Sequence, residues 1–160
     1  MRLGRGIRGI RASWVRDLVS GALACERSVF GRAPGFRRRV SVFLTGNQEI
    51  RWMNKKYLHH DAATDVLAFG CGPRNLAERG SDYLGDIAVS MEMAKTVARE
   101  MKIPWREELA RYLVHGTLHL LGYQDHKDLE AALLWKRQEA ILAKILNVPR
   151  PQLSTGRPRR

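Results

Sequence analysis

Residues 115–126 read HGTLHLLGYQDH, three histidines and one carboxylate in a short run of chain. His115 and His119 stand four apart. On a helix that spacing puts both imidazoles on one face, one turn from each other. It is the arrangement by which one helix offers two nitrogen ligands to one metal ion. Gly122 then lets the helix stop and the chain turn back. Just beyond the turn, either Asp125 or His126 can supply a third ligand. Three protein ligands with an open fourth position is the usual form of a catalytic zinc site. A single histidine on an apolar face is more often a core residue, but a pair at this spacing followed by a turn and a further ligand reads as a metal site.

A metal held this way lowers the pKa of water and polarises a carbonyl or phosphoryl oxygen, so hydrolysis is the natural reaction class. The familiar zinc-protease helix reads HExxH, with the glutamate as general base. Here Gly116 follows His115, which argues against an ordinary metalloprotease. A glycine at that position also admits close approach of substrate or backbone.

Outward from this stretch, the pattern predicts a helix from Trp105 to Leu121, with Glu107 and Glu108 suited to its first-turn dipole. A last helix is predicted over Asp128–Leu146, with Leu133, Leu134, Ile141 and Ile145 apolar, ended by Pro149 and Pro151. Upstream, Ser90 caps a helix over Met91–Met101, preceded by a strand over Tyr83–Val89. Residues 70–80 read as a loop. Residues 57–69 run from a polar loop, with His59 and His60, into an apolar strand. Asn47 caps a short helix through Ile50, Met53, Asn54 and Tyr57, after a strand over Val40–Leu44. Ser13 is the predicted cap of a helix carrying Trp14, Val15, Leu18, Val19, Ala22 and Leu23, ended by Gly31 and the Ala33-Pro34-Gly35 turn. Residues 1–11 form either an edge strand or a loose basic arm. The whole reads as α+β: a small mixed four-stranded sheet with about five helices packed against it, the metal site lying on a helix and the following turn. Residues 1–148 make one domain, and 149–160 a basic disordered tail.

The net charge is +12, and it sits at the ends. Residues 1–40 hold ten Arg against Asp17 and Glu26, residues 149–160 hold four Arg and no acid, and the body between is neutral. Basic ends favour a polyanion, most often nucleic acid, held with an affinity that falls as salt rises. Together with the missing protease base, they favour phosphodiester hydrolysis. Cys25 and Cys71 lie far apart without CxxC spacing, which fits a reducing cytoplasm. No apolar run is long enough to span a membrane. The Arg-rich start has some likeness to a transit peptide, but serine is sparse and no apolar h-region follows, so it reads as part of the mature chain. Asp86, in the strand after Gly85, is a candidate base or positioning carboxylate. His59 and His60 are loop residues able to touch substrate.

Three blocks, TDVLAF, LGDIAVS and HGTLHLLGY, occur in order across roughly residues 40–146 and resemble the YbeY family of metal-dependent endoribonucleases. The resemblance implies an α+β domain with a four-stranded sheet and one Zn2+ ion held by His115 and His119. It implies a zinc-dependent, single-strand-specific endoribonuclease of rRNA maturation, acting at the small-subunit rRNA 3′ end and in ribosome quality control. The implied partners are single-stranded rRNA and the small ribosomal subunit. Two departures stand out. Gln124 is interposed before Asp125-His126, so the family's third-ligand spacing falls on Asp125, with His126 the alternative if the turn absorbs one residue. Leu58 stands where many members carry an Arg, so a phosphate-facing cation must come from His59, His60 or an Arg of residues 1–39. Two other classes remain open: a metallohydrolase of another substrate such as a peptide, and a non-catalytic RNA-binding ribosome-assembly factor.

Overall fold

The helix that carries the histidine pair, α4 (Trp105–Leu120), is covered on almost every side: Leu109, Ala110, Leu113, Val114 and Leu118 are all 0% exposed. A helix surrounded in this way is the centre of a layer rather than an amphipathic cover. In the computed structural model, which describes residues 1–4, 6–26, 38–70 and 82–147, it packs against the sheet on one side and three helices on the others. The elements before it are β1 (Arg2–Leu3), α1 (Ala12–Cys25), β2 (Arg39–Thr45), α2 (Asn47–Leu58), β3 (Val66–Gly70), β4 (Tyr83–Ser90) and α3 (Met91–Met101), and α5 (Asp128–Leu146) follows it.

The sheet is four-stranded and mixed, in the order β1-β2-β4-β3. β1, β2 and β4 run parallel, and β3 closes the other edge antiparallel to β4. Arg2 opposite Phe43 and Leu3 opposite Leu44 make the start of the chain an edge strand rather than a loose arm. Alternation along the strands gives two cores. Ile87, Val89, Val42 and Leu44 join α1, α3, α4 and α5 in the larger one. Leu67 and Ala88 face the other way and are covered by Ile50 of α2. The α+β architecture, with five helices among the described residues, is the one expected from the sequence.

Differences are local. Ser13 lies inside α1, whose N-cap is Arg11 with no side-chain bond. Gly46, not Asn47, caps α2. Asn47 is instead tied to the next unit, its N–H donating to Glu92 and its side-chain oxygen accepting from Ser90 Oγ. Ser90 is the cap it was expected to be, accepting from Met93 N–H at 3.1 Å. Leu133 is 63% exposed, while Leu134, Ile141 and Leu142 form the buried stripe of α5. The expected turn at residues 31–35, most of the 70–80 loop and the 149–160 tail lie outside the described residues. Among the described residues, no helix is long and apolar enough to cross a membrane.

Two glycines set how closely the layers meet. At Gly116 a Cβ would lie 2.7 Å from Ile87 Cγ2 and 2.8 Å from Val66 Cγ2. The glycine is there for the side chains of the sheet, not for substrate or backbone. At Gly85, φ is +144° and a Cβ would lie 2.2 Å from the Phe69 carbonyl oxygen. This residue sits where the β2–β4 register slips, and only glycine fits the conformation.

Gly116→Ala would gain about 1 kcal/mol of helix propensity and lose about 2–3 kcal/mol, the upper part of the overpacking range, because both contacts fall below 3.0 Å. Urea denaturation should therefore show a net loss of roughly 1–2 kcal/mol. Gly85→Ala meets backbone that cannot step aside and should cost more. A Gly116→Ala protein as stable as the wild type would contradict this packing.

Candidate metal centre

α4 and the turn after it bring three donor atoms together. His115 Nε2 and His119 Nε2 are 3.0 Å apart, with the rings edge to face and their centroids 4.5 Å apart. Asp125 Oδ2 lies 3.8 Å from the first and 3.6 Å from the second. All three ligand atoms fall within 4.8 Å of one another. The imidazoles are half-buried and Asp125 is exposed, so the group opens to solvent on its carboxylate side. His126 is exposed and outside the group.

The protonation of both rings follows from what lies behind them. His119 Nδ1 is 2.9 Å from the Tyr123 carbonyl. A carbonyl only accepts, so Nδ1 carries the hydrogen. His115 Nδ1 is 2.9 Å from Gln138 Oε1. Gln138 must present its oxygen there because its Nε2 donates to Glu139 Oε1 at 3.0 Å. Glu139 is paired with Arg111, whose Nε donates to the same oxygen at 2.9 Å. Arg111 also binds Glu108 at 3.1 Å and Glu107 at 2.8 Å. The first-turn acids of α4 thus serve a buried guanidinium as well as the helix dipole. Burial pulls the Arg111 guanidinium down, but the bonds to Glu139 and Glu107 outweigh it and leave the group raised.

With hydrogen on both Nδ1 atoms, two Nε2 lone pairs point at each other across 3.0 Å, with an anionic oxygen beside them. That arrangement is repulsive without a positive centre. Two neutral imidazoles and a carboxylate are the donor set a borderline divalent ion takes. Backing each ligating imidazole with an acceptor for its other N–H is the usual support of such a site. The residues present therefore fit a metal ion.

The turn is anchored at a distance from the ligands. Gly122 takes φ +94°, which a side chain disfavours. Tyr123 N–H then returns to the Leu118 carbonyl. The Tyr123 hydroxyl donates to Glu26 at 2.8 Å. Arg137 of α5 binds the same carboxylate and donates to the Cys25 carbonyl. Burial, and then the bond to Glu26, raise the Tyr123 phenol above its ordinary value, so it remains a donor. One residue thus orients His119 through its backbone and ties the turn to α1 and α5 through its side chain.

Burial pushes His115 below the ordinary imidazole value, and the charge of His119 adds to this. Asp65, the Gln138 bond and Asp125 oppose it. Asp65 is a carboxylate that sequence reasoning did not single out. It immediately precedes Val66, the residue packed on Gly116. Its Oδ1 accepts from Val66 N–H and Thr64 Oγ1, and its carbonyl accepts from Ser90 N–H. Asp86 and His59 are not brought into the group. Asp86 is exposed and accepts from the Tyr83 hydroxyl at 2.6 Å, on the sheet face opposite Ile87. His59 is exposed at the left-handed C-cap of α2, with φ 62°. Gln138, Glu139 and Glu26 were also missed, because no local spacing connects them to the histidines, and so was Arg111, one turn before His115, because its link to the ring runs through Glu139 and Gln138 of another helix.

The sequence family described as Endoribonuclease YbeY matches residues 10–146. A protein of Anaeromyxobacter sp. (strain Fw109-5) with that name is 38% identical over 137 residues, covering 86% of this chain and 68% of the relative. One from Aquifex aeolicus (strain VF5) is 39% identical over 107 residues, covering 66% and 69%. One from Sinorhizobium fredii is 37% identical over 139 residues, covering 87% and 79%. The solution structure of a Thermotoga maritima protein shares the fold, with a TM-score of 0.60 at 22% identity over 91% of this chain and 89% of that one.

Gln138→Leu removes the acceptor behind His115 and leaves the Arg111–Glu139 pair. Competition against a chromophoric zinc chelator should show roughly 10- to 100-fold weaker metal binding with an unchanged circular dichroism spectrum. Unaltered affinity would mean that Gln138 only fills space.

Proposed function

The chain belongs to the Endoribonuclease YbeY family, hydrolases of RNA phosphodiester bonds, and from that premise we propose a zinc-dependent enzyme that cuts single-stranded RNA in ribosome biogenesis. Its substrate is the 3′ end of the small-subunit rRNA precursor, its partner is the small ribosomal subunit, and its place is the cytoplasm, with a part in ribosome quality control. The observation that carries the reading is the convergence of His115 Nε2, His119 Nε2 and Asp125 Oδ2 on one point.

In this reading His115, His119 and Asp125 are the ligands. Zinc held there supplies Lewis acidity, lowering the pKa of a water and polarising a phosphoryl oxygen. The chain does the rest. Gln138 and the Tyr123 carbonyl hold a hydrogen on each Nδ1 and leave each Nε2 aimed outward. Asp125 offsets part of the cation's charge on the solvent side. Asp65, fixed by two donors beside the pair, is suited to hold a proton taken from water. Asp86 stays an outer residue, and exposed His59 and His60, on the loop from α2 to β3, are available to RNA phosphates in place of the arginine absent at Leu58. A peptidase reading loses support at Gly116, because Ile87 and Val66 fill the space a glutamate base would occupy.

Purified protein should cleave single-stranded RNA and leave duplex RNA and casein intact. His115→Ala or a chelator should lower the rate by at least about 100-fold, the scale of a lost catalytic metal. Casein cleavage without RNA cleavage would end the proposal. Asp125→Ala should lower metal content more than His126→Ala, and the reverse ranking would move the third ligand to His126. Protons compete with metal for both imidazoles. Because burial lowers His115, metal should stay bound on dialysis to below about pH 6.5, the ordinary imidazole value. Loss above that value would contradict the burial argument.

A further inference from the structure

α2 carries an aromatic surface that the metal centre does not use. Trp52 is 55% exposed and Tyr57 52% exposed. Their rings meet edge to face with centroids 6.3 Å apart. Lys56 Nζ sits 4.6 Å from the Trp52 centroid and 5.2 Å from that of Tyr57. Tyr57 in turn meets Phe69 of β3 at 5.5 Å. The Trp52 and Tyr57 rings do not form the core beneath α2, which uses Ile50, Met53 and Phe69.

The charge around the rings is positive. Arg51, Lys55 and Lys56 are exposed, and the first two share one carboxylate, Asp61, which binds Arg51 at 2.7 Å and Lys55 at 2.8 Å. Those two cations hold the Asp61 carboxyl down at about 2, so it stays ionised. The one acid within α2, Glu49, accepts from Thr45 at the start of the helix. Among the described residues, Lys56 is placed over the two rings and pairs with no carboxylate.

The surface also lies on the way to the histidines. β3 presents Phe69 to Tyr57 on one face, and Val66 to Gly116, the neighbour of His115, on the other. β3 is an edge strand of the sheet, so the ring surface and the histidine helix adjoin along one sheet edge.

We propose that the Trp52–Lys56–Tyr57 face of α2 is a stacking platform for single-stranded RNA, holding nucleotides that flank the cleaved bond. Exposed aromatic faces with interleaved cations are what binding without base-specific readout requires: every base has a π-face, and every linkage carries a charge. An acidic or apolar protein partner would use some of the same groups, but the positive ring face matches a polymer that alternates flat bases with phosphates. The proposal rests on the endoribonuclease reading for its ligand, and it is tested on binding, apart from cleavage.

The test uses the full chain and a fluorescein-labelled oligouridylate, with binding read by anisotropy in chelator so that nothing is cut. Trp52→Ala should raise Kd by at least about fivefold, Trp52→Phe should restore most of the affinity, and Lys56→Gln should weaken binding and flatten its salt dependence. With metal restored, Trp52→Ala should raise KM for a long single strand and leave kcat near wild type. Equal RNA affinity for wild type, Trp52→Ala and Lys56→Gln overturns the platform, including the case in which Trp52→Ala instead disrupts a protein complex. A wild type that binds RNA through Trp52 but never cuts it sustains the platform and defeats the enzymatic reading alone.

Discussion

α4 comes nearest the sheet at Gly116, where Ile87 and Val66 occupy the room a side chain would need. The helix is buried along most of its length because it can sink to this depth, and the histidine before the glycine sinks with it. The same contact fixes the start of β3, which brings Asp65 near enough for its charge to reach His115. It also leaves the opposite side of α4 open to α5, from which Gln138 reaches the His115 ring. A larger residue at 116 would lift the helix and disturb the donor group, the carboxylate beside it and the support behind it together.

Behind the donors, polarity is organised as a line rather than a scatter. Arg111 orients Glu139, Glu139 orients Gln138, and Gln138 decides which nitrogen of His115 keeps its hydrogen. Each buried polar group has a partner that tolerates only one arrangement, so the line has one low-energy state. A second line runs from Arg137 through Glu26 and Tyr123 to His119. Both begin at arginines on well-packed helices, and both end at an imidazole.

What was legible in the chain was what local spacing encodes. The i, i+4 histidines, the Ser90 cap, the bounds of α3 and α5 and the presence of strands β2 and β4 all depend on neighbours within a few residues, and all appear as read. Asp125 lies within reach of the histidine pair, and His126 lies outside that group. Contacts made across the fold were not legible. Gln138 looks like a surface polar residue until α5 is folded back on α4, and Glu26 like a helix-end charge until Tyr123 and Arg137 enclose it. Gly116 was noticed as unusual, but the reason lay in strands far upstream. Leu133 fits an apolar stripe by type, yet the rotation of α5 turns Leu134 inward instead.

The proposed ligand atoms all come from residues 115–125. Closing so short a segment costs little chain entropy, so an unfolded polypeptide can already gather the same atoms around an ion. Metal then binds both ends of the folding equilibrium, and only the difference in affinity stabilises the native state. That difference resides in the partners an unfolded chain lacks: the Gln138 oxygen and the anchored Tyr123 carbonyl. A metal held by the proposed ligands would therefore act on this fold less as a staple than as a reporter of whether α5 has docked.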